Sequence, residues 1–381
     1  MSVSELINSI NGVADGGAGV TDEERASLLL ACDKLRSKLE GPLVLRLAID
    51  MKIFDVAAAI SRPDGYFTTE KLASETGADP LLINRIMRYM TAISLFQEVG
   101  PGKFKTTPLS GIYVTASPLA QGIIHMTSQM EIISALPAYF AQNGYKNPGD
   151  AYDGPFQYAR QTKLHCFEWI ATQPKLQHAF NVIMGISRSA RDQSWFDYFP
   201  VSSKLSVKSD SDTLLVDIGG GVGHDLIRLK EKKPSLSGKL IVQDISVVIE
   251  SISDLPTGIE AMKYDFFTPQ PVKGAKAYYL ANVLHDWPDK QALQILGNVK
   301  EAMTSDSFLL INENVLPETN VSLFSASTDF MMMGGFSAQE RTENQFRTLL
   351  DEAGLELVKA WEPEDAADGE GRRLLEAVLK K

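Results

Sequence analysis

From about residue 205 onward, short β-branched runs alternate with amphipathic helical stretches, and this alternation constrains the fold more than any other feature of the chain. Strand patterns fall at 214–218, 240–244, 261–265, 277–284, 308–312, 355–361 and 374–379. Helical patterns lie between most of them, for example at 225–233, 289–303 and 342–353. Strands separated by helices pair in parallel, because a parallel connection needs a crossover too long for a tight turn. The second half is therefore expected to form a doubly wound, Rossmann-like α/β sheet of seven strands, whose ligands sit beyond the carboxyl ends of the strands.

The first half has a different pattern. A Gly-rich run, Gly16-Gly-Ala-Gly19, precedes Thr21-Asp-Glu-Glu24, which has the spacing of a helix capping box. Residues 41–107 then read as helix, a short helix at 68–75, a turn at Gly77, a helix with Leu82, Ile86, Tyr89 and Ile93 on one face, and short strands ending near Phe104. That order of elements predicts a winged helix. Residues 116–204 read as mostly helical, with the Ser-rich stretch 201–212 as a linker. The expected organisation is a flexible 1–20, a winged-helix region 21–115, a helical region 116–204 and the α/β domain 205–381.

Winged helices often bind DNA, but the recognition helix here offers only Arg85 and Arg88. Lys and Arg total 37 against 48 Asp and Glu, a net charge of −11, which repels phosphate backbones and anionic lipid. Nucleic acid and membrane surfaces are thus excluded as expected partners. The two cysteines, Cys32 and Cys166, have neither disulfide nor metal-ligand spacing, so no metal is expected. With no signal-peptide pattern at the start, a cytoplasmic protein is expected.

In the α/β half, Asp217-Ile-Gly-Gly-Gly-Val-Gly223-His-Asp225 follows an apolar strand and opens a helix, a turn where glycines let a ligand approach the backbone. The spacing matches neither the dinucleotide fingerprint nor the phosphate loop, and no lysine follows. Three successive strand patterns close on acids: Asp217, Asp244 and Asp265. Such acids suit ribose hydroxyls and an adenine amine, repel a pyrophosphate, and favour a cationic ligand without phosphate. Taken singly, each is as well explained as a helix cap.

Asp217-Ile-Gly-Gly-Gly-Val-Gly223, Tyr264-Asp-Phe-Phe267, Asn282-Val-Leu-His-Asp-Trp-Pro-Asp289, Asn312-Glu-Asn-Val-Leu-Pro317 and Gly334-Gly-Phe-Ser-Ala-Gln-Glu-Arg-Thr342 resemble, in order and spacing, the S-adenosylmethionine-dependent O-methyltransferases of the caffeate and flavonoid type. The fungal secondary-metabolism branch is the most similar, and the resemblance covers about residues 40–381. It implies S-adenosylmethionine as cofactor, a hydroxylated aromatic or polyketide-like small molecule as substrate, and an N-terminal dimerisation region. A homodimer agrees with the apolar faces at 43–54 and 81–93, which exceed what one winged helix covers.

By that resemblance, Asp217, Gly219, Gly221 and Asp244 line the cofactor's amino-acid and ribose portions, and Asp265 and Phe266 lie near adenine. His285 matches the general base, bracketed by Glu313 and Glu340. An unperturbed imidazole titrates near 6.5 and can accept the proton of a phenol, whose own value is about 10. Alone, such a histidine would read as a satisfied strand-end residue with Asp286 capping the next helix. His125 and Met126, in the apolar stretch Gly122-Ile-Ile-His-Met126, together with Met184, Asp286 and Met331, are the candidate substrate contacts; core packing is the competing explanation for the Met run 331–333. Many relatives carry Lys or Arg four residues before the catalytic histidine, where Ala281 stands here. That departure keeps a second function open: a pericyclase or dehydratase of the same fold, which holds S-adenosylmethionine as a bound cation without transferring its methyl.

Overall fold

The computed structural model describes residues 41–61, 65–189, 193–363 and 371–381; the Gly16–Gly19 run, the Thr21 capping box and Cys32 lie outside them. The described residues fall into two compact units, one drawn from those up to Ser128 and from Pro174–Ser187, the other from Gln129–Gln173 and those from 188 onward.

In the first unit, residues 41–50 and Ile53–Ile60 are helical and lead into β1 (Phe67–Thr68). Thr68 then caps the helix Thr69–Thr76 by accepting the Lys71 N–H, and Gly77 ends it at φ 69°. Asp79 caps the next helix, Pro80–Ala92, through the Leu81 and Leu82 N–H groups. Strands β2 (Phe96–Gly100) and β3 (Lys103–Thr106) form the wing, in a sheet of order β1-β3-β2 with both pairings antiparallel. The winged helix is thus present, but its second helix turns a different stripe inward than expected. Ile83, Ile86, Met87 and Met90 are buried, while Leu82 is exposed and Tyr89 and Ile93 are only half-buried. Because the helix starts at Pro80, the i, i+3, i+4, i+7 set begins one residue later than the sequence pattern indicated. Arg85 and Arg88 are exposed.

The second unit is built on β4 (Thr213–Ile218), β5 (Lys239–Asp244), β6 (Ile259–Lys263), β7 (Ala277–Ala281), β8 (Phe308–Leu316), β9 (Arg341–Thr342), β10 (Leu355–Trp361) and β11 (Gly371–Leu379). Their order is β10-β11-β8-β7-β4-β5-β6, with β9 paired to β8. Strands β4 to β8 pair in parallel, whereas β11 runs antiparallel to both β8 and β10. The strand period of two feeds two cores. Val216, Ile218, Tyr278, Leu280, Leu309 and Ile311 pack into one, with Ile295 and Leu349 from the helices Asp289–Lys300 and Glu343–Glu352. Leu215, Ala277, Tyr279, Phe308 and Leu310 pack into the other, with Leu226 and Leu229 from the helix His224–Lys232 and with Trp195.

Three strand ends differ from the sequence reading. β8 runs on to Leu316 rather than ending at Asn312, and β6 closes at Lys263, which leaves Asp265 in the following turn. β7 stops at Ala281 because Asn282 takes φ 51°, a left-handed conformation that no strand continues through. Residues Leu284–Asp286 then form a single 3₁₀ turn. The stretch 201–212, expected as a linker, begins with the short helix Val201–Lys204 and buries Val201 and Leu205 in the second core.

Candidate active site

The glycine loop is shaped by what surrounds it. Gly219, Gly221 and Gly223 have φ of 70°, 62° and 84°, which side chains with a Cβ rarely adopt. A Cβ on Gly220 would stand 2.5 Å from the Asp217 carboxyl carbon, so the buried Asp217 side chain lies directly beneath the loop. The Gly219 and Gly220 N–H groups donate to the Gln243 carbonyl at 2.8 and 3.1 Å. Asp244 completes the attachment: Oδ2 accepts the Gly221 N–H and Oδ1 the Ile245 N–H, both at 2.8 Å. A Cβ on Gly219 would meet Val283 Cγ2 at 2.9 Å and Phe266 Cε1 at 3.9 Å, which brings the glycine loop, Phe266 and the approach to His285 to one place.

Phe266 and Phe267 present ring edges to Trp287, with centroids 5.8 and 4.7 Å away. Trp287 in turn stacks on His165 at 4.5 Å and 13°. Asp265 is exposed, and its Oδ1 accepts the Phe267 N–H within its own turn at 3.0 Å.

The 3₁₀ turn that carries His285 is clamped on both sides of its backbone. Glu313 of β8, fully buried, accepts the N–H groups of Val283 and Leu284 through Oε1, each at 2.9 Å. Arg341, 1% exposed, donates to the carbonyls of Leu284 and Trp287 at 2.8 and 2.9 Å and pairs with Asp289 at 2.7 Å. Within this clamp His285 Nδ1 lies 3.1 Å from Glu340 Oε1 and Nε2 lies 3.5 Å from Asp286 Oδ1. Glu340 is itself fixed by its N–H, which donates to Asp329 Oδ1 at 2.8 Å.

Two of the bracketing acids therefore have different jobs. Glu340 bonds the imidazole, while Glu313 bonds the backbone leading into it and acts on the ring through its charge. Burial works to lower the His285 pKa, but Asp286, Glu313 and Glu340 together outweigh it and push it up to about 10. Burial pushes Asp286 up to about 7, opposed by His285 and assisted by Glu313 and Glu340. Asp286 does not cap the following helix: Asp289–Lys300 starts after Pro288 with no side-chain cap.

Of the other candidates, Met331 is on the helix Leu323–Phe336 of this same unit and is 38% exposed. His125 and Met126 on the helix Pro118–Gln142, and Met184 on Pro174–Ser189, belong to the first unit. There His125 is half-buried beside Phe180, ring centroids 5.8 Å apart, and burial lowers its pKa. At the Ala281 position no cation stands on the strand itself, but Arg372 of β11 reaches the adjacent residues, bonding Asn282 Oδ1 at 2.5 Å and the Asn312 carbonyl at 3.2 Å. Arg341 is the functional residue that sequence reasoning missed; its only signal was its place between Glu340 and the Thr342 that caps the next helix. Among the described residues no group of histidine, cysteine and acids is arranged to hold a metal.

Comparison with known proteins decides the family. An O-methyltransferase domain matches residues 151–356 and an O-methyltransferase dimerisation domain matches residues 40–116. The chain belongs to the O-methyltransferase family. The O-methyltransferase asqD of Emericella nidulans is 38% identical over 336 residues, 86% of this chain and 84% of that one. Among solved structures, LepI in complex with SAM is similar with a TM-score of 0.72 at 30% identity over 100% of both chains. OxaC in complex with sinefungin and meleagrin is similar with a TM-score of 0.74 at 29% identity, covering 99% of this methyltransferase and 98% of that chain.

Proposed function

We propose that this methyltransferase moves a methyl group from S-adenosylmethionine to a hydroxyl of an aromatic or polyketide-like small molecule, with His285 as general base. The observation that carries the reading is the His285 assembly: an imidazole bonded to a buried carboxylate on Nδ1, with Nε2 turned away from it.

The loop fits the cofactor on its own geometry. Gly219, Gly221 and Gly223 hold positive φ with no side chain between the backbone and a ligand, and the Asp244 carboxylate, tied to the Gly221 N–H, stands at the loop as the kind of acceptor that ribose hydroxyls need. Bound there, S-adenosylmethionine supplies a methyl group already activated on a sulfonium. The protein's share is to hold the hydroxyl in line and take its proton. Nε2 accepts that proton, and Glu340 stabilises the resulting imidazolium through Nδ1 and fixes the ring's orientation. Glu313 and Arg341 are positioning residues, which hold the turn so that the ring cannot swing. Met331 and Asp286 are assigned to substrate contact, and Asp265 and Phe266 to the adenine end.

A homodimer is part of this reading and rests on the dimerisation domain at 40–116. A cytoplasmic location rests on the free, buried Cys166 thiol. Among the described residues no helix is long and apolar enough to cross a membrane. The non-transferring pericyclase alternative differs only in whether methyl leaves sulfur. Incubation with methyl-labelled cofactor and a panel of hydroxylated arenes tests the proposal: label in an alkali-stable ether product supports it, and absence of label from every product formed removes it.

A further inference from the structure

His285 is faced by carboxylates from its own turn and from two neighbouring segments, with a further acid behind one of them. Asp286 is on its own turn, Glu313 comes from β8, Glu340 precedes β9, and Asp329 of the helix Leu323–Phe336 stands behind Glu340. Cys166 is close enough to Asp286 that burial and this charge together hold its thiol protonated. Arg341 brings positive charge to this wall, but it is committed to Asp289 and to two backbone carbonyls. One oxygen of Glu313 and one of Glu340 are buried with no hydrogen-bond partner in the protein, on residues 0% and 4% exposed. A buried surplus of carboxylate keeps protons or takes up a cation.

On the methyltransferase reading, we propose that this cluster exchanges a proton for the cofactor's positive charge. Without cofactor, the buried and incompletely bonded carboxylates around His285 keep a proton among them; when the sulfonium is in place, that proton leaves the cluster for solvent, chiefly from Asp286, before the substrate hydroxyl arrives. No covalent bond changes in this step.

The geometry required for transfer supports the exchange. In-line displacement puts sulfur on the far side of the methyl from the oxygen held at Nε2, so the sulfonium is within a Debye length, about 8 Å, of the cluster. At an effective dielectric of about 20, a unit charge at that range shifts a neighbouring titration by on the order of one pH unit. Asp286, held at about 7, is the member whose proton is available for release near neutrality.

Calorimetric titration of S-adenosylmethionine into the full-length protein at about pH 7, in two buffers of different protonation heat, counts the protons released. Wild type is expected to release on the order of a third of a proton more than Asp286→Asn, whose neutral amide cannot titrate. That excess is expected to vanish with S-adenosylhomocysteine, which lacks the sulfonium charge. Equal counts in wild type and variant, or the same excess with both ligands, overturn the exchange while leaving the methyltransferase reading intact; failure of both ligands to bind removes both. If Asp286→Asn does not fold, the wild-type difference between the two ligands, corrected for their own amine titration, decides by the same sign.

Discussion

Among the described residues, the winged-helix unit buries no charged side chain, only apolar groups such as Leu72, Met87 and Phe104 with Thr69, Ser110, Gln121 and Thr127, whereas the α/β unit buries Asp217, Glu313, Glu340, Arg341 and Glu376. Burying an unpaired charge costs several kcal/mol, so the second pattern survives only where partners or chemistry hold it. Glu376 shows the structural case. Its two oxygens are taken by Lys204 Nζ at 2.5 Å and Trp361 Nε1 at 2.9 Å. Glu313 and Glu340 each keep one buried oxygen without a partner. Buried charge alone therefore does not mark the site; buried charge left incompletely bonded around an imidazole does.

The comparison predicts where substitutions act, and the largest effect belongs to the ring itself. His285→Ala is expected to lower methylation about 10²- to 10⁴-fold with the fold retained, measured as kcat under saturating cofactor. Glu313→Gln should lower it less, because the imidazole stays but the turn loosens. In wild type the rate should fall with decreasing pH, since a protonated ring accepts no proton, and the surrounding carboxylates place that fall above the value of about 6.5 for a free imidazole. A rate that is flat down to about pH 6 would contradict the assignment of His285 as base.

Arg341→Met separates positioning from chemistry. It leaves the carbonyls of Leu284 and Trp287 without their donor and should destabilise the α/β unit by about 2–4 kcal/mol in urea unfolding. Asp244→Ala should weaken S-adenosylmethionine by about 1–3 kcal/mol in calorimetry, since it removes the anchor of the Gly221 N–H along with the carboxylate proposed to accept from ribose. Unchanged affinity would place the ribose elsewhere. In the winged-helix unit, Arg88→Ala should change stability and methylation by less than about 0.5 kcal/mol, as befits an exposed side chain, and a larger loss would show a use for that helix beyond packing.

The same contrast explains what was legible in the sequence. β4 is readable because an apolar run bounded by turn residues fixes it locally, and Asp217 and Asp244 fall at the ends of their strands as the pattern indicated. The end of β7 was not readable: Ala277 to Leu284 is a nearly continuous apolar run, and it stops at Asn282 only because that residue takes a positive φ. Asp265 was misplaced for a related reason, since β6 ends at Lys263 and the acid serves its own turn. The role of Arg341 depends on bonds to carbonyls 54 and 57 residues earlier in the chain, and no local pattern encodes such pairs. The resemblance carried His285, Glu313 and Glu340 to one site, yet the division of labour between the two glutamates came only from geometry.

The most direct test of the central claim is the ratio of S-adenosylhomocysteine to product, quantified in a single assay as turnover proceeds. Methyl transfer assisted by His285 predicts one S-adenosylhomocysteine per product molecule, a product heavier by one methyl group, and loss of both signals together in His285→Ala. A ratio near zero with product still accumulating at the substrate's own mass, or one water lighter, would contradict it.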